Sequence, residues 1–159
     1  MLEHVGDEIE QALRTGGWAN HGADPAAVMA AIRGLQRVRT AQEGERAYNE
    51  VLDAIGHNHS GWLYDAAGPA AGVLVAVIRA TQGRPRRTAI EILIDCLAWV
   101  RPGQQFIDAD GHTRSVKAAL RDAVAGLEPA LHIIAATSDT VPLGVSAKNL
   151  LEALHKHDG

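Results

Sequence analysis

The densest group of side chains able to move protons or hold a metal lies between residues 57 and 65: His57 and His59, followed by Ser60, Tyr64 and Asp65. Imidazole titrates near neutrality, so it serves as a general acid or base, and it is a common metal ligand. The i, i+2 spacing of the two histidines places both on one face of a strand, so chelation by this pair needs extended backbone. The competing reading is a structural loop in which His59 or Tyr64 bonds to backbone groups. No metal and no cofactor is assigned.

Other groups carry less chemistry. Asp108-Ala-Asp110-Gly111 resembles the opening of a calcium loop, but counting from Asp108 puts His112, Arg114 and Ala119 where such a loop needs oxygen ligands and a bidentate carboxylate. Asp and Gly in this order suit a turn. Arg79, Arg84, Arg86 and Arg87 crowd one inter-helix turn, a strip that reads as solvated charge before it reads as a phosphate site. Cys96 shares an apolar stripe with Leu93 and Leu97, so burial and inertness are expected of it. Glycine-rich phosphate loops, nucleophile elbows and zinc-helix motifs are missing from the sequence.

Trp18, Trp62 and Trp99 matter because tryptophan concentrates at binding hot spots and is costly to expose. Trp99 falls within a helix pattern and is expected to pack. Trp18 and Trp62 fall in glycine-bearing loops, where each either plugs a helix end or lines a groove. Together with His57, His59 and Tyr64 they are the candidate partner contacts.

Eight helices would position these residues. Ile9 and Leu13 continue a stripe from Leu2 and Val5, which Gly16 and Gly17 end. Asp24-Pro25 opens a second helix with Val28, Ile32, Leu35 and Val38 inward, running to about Arg39. Thr40 and Glu43 form a capping box for a third, with Ala47, Val51, Leu52 and Ile55 inward and Gly56 suited to a left-handed C-terminal cap. Asp65 is placed to cap a fourth, in which Pro69 marks a bend or a first turn, ending near Gln82. Ala89 to Val100 defines a fifth, and Gln104 to Thr113 is read as a loop in preference to a hairpin. Val116 to Leu127, Pro129 to Ala136 and Pro142 to His155 complete the set.

Length and composition bound what this set can do. The chain has 159 residues, 47% of them apolar and 21% charged, which is a globular composition long enough for one self-sufficient domain over 1–159. Aromatics make up 4%, which favours close helix contacts over a sandwich filled by large side chains. The formal net charge of -4 supplies no basic field for nucleic acid or an anionic membrane. One cysteine, no secretory signal and no apolar run of about 20 residues make a cytoplasmic location the expectation.

The fold expected is therefore all-α, with helices stacked as antiparallel pairs in an α-solenoid, or gathered into a compact helical bundle. One block, Tyr48 to Ile55, His59-Ser-Gly-Trp-Leu-Tyr64-Asp-Ala-Ala67, Pro69 to Ile78 and Arg87 to Leu97, resembles small bacterial HEAT-like repeat proteins. The C-terminal half departs from that pattern: Asp139-Thr-Val-Pro-Leu-Gly-Val-Ser lacks the Arg that commonly opens the second repeat helix. The resemblance implies a non-enzymatic scaffold for a protein partner, in its most specific version an immunity protein neutralising a bacterial toxin. The alternative is a small-molecule enzyme or binder with an inter-helical pocket that uses His57, His59, Tyr64 or Asp65.

Overall fold

Helix boundaries follow local chemistry. In the computed structural model, which describes residues 2–57, 62–137 and 141–156 (the side chains of 2–7, 57 and 141 lie outside that description), Asp24 accepts from the Ala26 N–H at 3.1 Å. This cap, with Pro25 in the first turn, opens α2 (Pro25–Gln36) after α1 (Leu2–Thr15) and a short 3-10 turn (Trp18–His21). α3 (Ala41–Ile55) begins with the full capping box: the Glu43 N–H donates to Thr40 Oγ1 at 3.1 Å, and the Thr40 N–H donates to Glu43 Oε1 at 3.0 Å. Glu43 also accepts from the Arg39 N–H, and these backbone and hydroxyl bonds hold its carboxyl below the usual range.

Gly56 does not end α3 in a left-handed cap. Its backbone is extended, and Gly56–His57 forms β1, pairing antiparallel with β2 (Trp62–Leu63) in the register Gly56 to Leu63 and His57 to Trp62. What selects glycine is proximity: a Cβ at 56 would collide with the Trp62 carbonyl.

Asp65 does not cap α4 (Ala67–Ala80) through its side chain. Its carbonyl accepts from the Gly68 N–H at 3.0 Å, and helical backbone at Ala66 leads directly into the helix. Pro69 sits in the first turn, where its missing N–H has no intrahelical partner to lose. α4 is apolar nearly all round, with Val73, Leu74, Val77 and Ile78 fully buried, so it needs cover on most of its circumference. α1, α5 (Arg84–Trp99) and α6 (Val116–Thr137) supply it.

Seven α-helices, not eight, are present among the described residues. The expected break at Pro129 does not occur, and α6 runs unbroken through it. The proline removes one bond to the Ala125 carbonyl, but Ala125 and Pro129 both face solvent, where water replaces it. The buried stripe Val124, Leu127, Leu131 and Ile134 continues past the proline and holds the helix against α7 (Val141–Lys156).

The segment expected as a loop is instead a hairpin. β3 (Gln105–Ile107) pairs antiparallel with β4 (Thr113–Ser115), Phe106 facing Arg114. Asp108 Oδ1 accepts from the Asp110 and His112 N–H groups at 3.0 and 2.9 Å, and Gly111 has φ +82°, which closes the turn.

Sequential helices pair as α2 with α3, α4 with α5, and α6 with α7, while α5 also touches α2, α3, α6 and α7. A short stack of pairs and a bundle both supply such contacts. One core cluster runs from Ile9 in α1 to Leu154 in α7. No helix among the described residues is long and apolar enough to cross a membrane.

Candidate functional site

The residues named from sequence do not form one site. The His57 side chain, His59 and Ser60 lie outside the described residues. Tyr64 is partly buried: its N–H donates to the Ile55 carbonyl at 2.8 Å, and its ring covers the Cα of Gly22. Trp18 is 4% exposed, and its indole N–H donates to the Leu13 carbonyl at 2.8 Å, with the ring pressed over Gly16. It plugs the C-terminal end of α1 and offers almost no surface to a partner.

Trp62 has the opposite fate. It is 48% exposed, on backbone fixed from two sides: β2 pairs with β1, and Gln104 Nε2 donates to the Leu63 carbonyl at 2.9 Å. The Arg101 guanidinium carbon stands 4.0 Å above the centroid of its ring. A guanidinium stacked on an indole is partly desolvated, and its in-plane N–H groups can still donate to a carboxylate.

Asp65 goes elsewhere, into a groove of about 580 Å³ between the end of α1, the 3-10 turn and the β3–β4 hairpin. Its carboxylate has no ion-pair partner among the described residues. The groove's other polar walls are Thr15, Asn20, His21, Gln105, Asp108 and Thr113. A second hollow of about 450 Å³ adjoins it, sharing Thr15, Gly16 and Phe106 to Ala109, and extends towards α4 and α6. Phe106 lines both; its ring is pressed so closely on Gly68 that a Cβ there would overlap it.

His21 is the residue that the motif reading passed over. It is 7% exposed, and its Nε2 accepts from the Ile107 N–H at 3.2 Å. An accepting Nε2 carries no proton, so the neutral ring is protonated at Nδ1. Nδ1 is buried and has no hydrogen-bond partner among the described residues. Nothing local in the sequence marks this: His21 is a lone histidine in a loop, and its partner is 86 positions away.

Several of the other candidates are internally committed. Arg86 Nε donates to the Ile78 carbonyl at 2.8 Å, Arg87 pairs with Glu91 at 3.0 Å, and Arg33 pairs with Glu10 at 3.4 Å. Asp108, Asp110 and His112 bring possible ligand atoms within 4.8 Å of one another, but Asp108 Oδ1 is already taken by the turn's N–H groups. Cys96 is fully buried, its thiol pushed up to about 12 by burial and by Asp95, so it is no nucleophile at neutral pH. The Tyr48 hydroxyl donates to Asp95 Oδ2, and burial raises that carboxyl above the ordinary range.

Comparison with family models, curated proteins and solved structures finds no match to this chain.

Proposed function

We propose that the protein is a non-enzymatic interaction module that docks a protein partner through Trp62 and Arg101. The observation that carries this reading is the exposed indole with the guanidinium 4.0 Å above it, on backbone paired with β1 and bonded by Gln104. Tryptophan and arginine are the residues most enriched where truncation costs binding energy, and a pre-ordered pair loses little entropy on docking. The partner segment that fits offers an apolar surface for the indole and a carboxylate for the guanidinium.

The resemblance of Tyr48 to Leu97 to HEAT-like repeat proteins points the same way, and toxin neutralisation is the narrower form of this proposal. The helix pairs α2–α3, α4–α5 and α6–α7 accord with such a scaffold and equally with a bundle. Its test is reconstitution from purified components: a partner captured by the wild-type chain forms a stoichiometric complex that Trp62→Ala abolishes. Failure of a folded, saturating bait to hold any partner, or equal retention by the variant, counts against the reading.

The alternative reading is a pocket protein using the loop residues His57, His59, Tyr64 or Asp65. Of the four residues it named, Asp65 lines the groove, and its neighbour there is His21.

A further inference from the structure

We propose that the cleft between the first turns of α3 and α5 binds a small molecule through a single carboxylate. Free organic acids and amino acids share this group.

The two helices run side by side in the same direction: a Cβ at Gly44 would stand 3.3 Å from Thr88 Oγ1, and further along Tyr48 bonds to Asp95. Their N-termini therefore lie at one end, where a hollow of about 240 Å³ opens. That volume is below the ~300 Å³ at which drug-sized sites begin, so the occupant is small. The capping box satisfies the end of α3. α5 has no such device: Gly83 at its N-cap brings no side chain, and its first turn holds Arg84, Arg86 and Arg87 with no acidic residue. Cations at the positive end of a helix are unfavourable, and a bound anion offsets them. Arg86 is committed to the Ile78 carbonyl and Arg87 to Glu91. Arg84, exposed on the cleft wall, has no ion-pair partner among the described residues.

Thr88 marks the place of the ligand's oxygen. It is 6% exposed and lines the cleft, and its hydroxyl has no hydrogen-bond partner among the described residues. A buried hydroxyl left without an acceptor is costly. The atom is also reachable. Among the described residues His21 Nδ1 is the one unpartnered side-chain polar atom sealed from solvent, so Thr88 Oγ1 keeps accessible surface in the cleft it lines. Gly44, opposite, has no side chain to cover it.

Charge sets the ligand's class. The walls carry Arg84 and Arg87 against Glu45 and Glu91, so a singly charged group is favoured over a phosphate dianion. A carboxylate takes the Thr88 hydroxyl on one oxygen and the Arg84 guanidinium on the other. An amino acid adds an ammonium for Glu45, which has no ion-pair partner among the described residues.

The experiment follows ¹H–¹⁵N shifts of the full chain, at neutral pH and constant ionic strength, during titration with propionate, L-alanine, propionamide and inorganic phosphate. Saturable shifts at Gly44, Arg84 and Thr88 are expected with propionate, L-alanine or both, and at least about tenfold weaker binding of propionamide, which has lost the charge. L-Alanine binding more tightly than propionate identifies an amino acid as the source, and binding no better identifies a simple acid. Thr88→Val keeps the shape and removes the donor, and Arg84→Gln removes the charge; each is expected to weaken the better of the two acids by about tenfold with the unfolding midpoint kept. The proposal is overturned by no saturable shift at about 50 mM of either acid, by equal binding of propionamide, by tighter binding of phosphate, or by variants that fold and bind as the wild type does.

Discussion

The Ile107 N–H donates to His21 Nε2 at 3.2 Å, so one bond between residues 86 apart both seats the β3–β4 hairpin and decides which ring nitrogen of His21 holds the proton. His21→Ala removes that acceptor and an edge-on contact with the Phe106 ring, whose centroid is 6.0 Å away. The expected cost is about 2 to 3 kcal/mol in urea unfolding, since a part-buried N–H is left unpaired. His21→Gln, which retains an acceptor, should stay within about 1 kcal/mol of the wild type.

Glycines at 56 and 126 predict opposite responses to the same change. Gly56→Ala drives a methyl group into the Trp62 carbonyl, which must separate β1 from β2, and a loss of about 2 kcal/mol or more is expected. Gly126 lies exposed in α6 with nothing within 4 Å of its missing Cβ, so Gly126→Ala should gain about 0.5 to 1 kcal/mol from helix propensity. Denaturant midpoints of the two variants check both signs.

Glu43 links stability to acid. Its carboxyl is held below the ordinary value of 4.5 by bonds from the Arg39 N–H, the Thr40 hydroxyl and the Thr40 N–H, so the ionised form favours the folded state. That contribution is complete above 4.5, the unfolded value, and is lost as pH falls through the lower folded value. Glu43→Gln should therefore be less stable than the wild type at neutral pH, the difference shrinking in acid. Thr40→Ala, which removes the partner hydroxyl, should cost about 1 kcal/mol at neutral pH.

Cys96 gives a kinetic readout of the core. With its thiol pushed up to about 12 and no surface exposed, labelling by a thiol reagent at mildly alkaline pH should be limited by opening of α5. A native-state rate close to that of an exposed thiol would show that the packing of α5 against α4 and α7 is not as described.

The helices were legible because their information is local: stripes such as Val51, Leu52 and Ile55, and caps at Asp24 and Thr40, lie within a few residues of what they control. Pro129 misled because its effect depends on which face of α6 it occupies. The hairpin was not legible because Phe106 is buried by Gly68, and Ile107 is held by His21, both far off in the chain. Trp18 and Trp62 look alike in sequence, each beside glycine, and only the end of α1 at Leu13 and the position of Arg101 tell the plug from the platform. For the same reason Asp65 was found without His21, which lines the same groove.

Trp62 separates docking from folding. Its removal exposes little core, so Trp62→Ala should leave the unfolding midpoint nearly unchanged, with a stability change under about 1 kcal/mol. Calorimetric titration of the purified partner should then show affinity falling by about thirtyfold or more, with Arg101→Ala falling in the same direction. A folded Trp62→Ala chain that binds the partner within about twofold of the wild type would mean that the partner docks elsewhere.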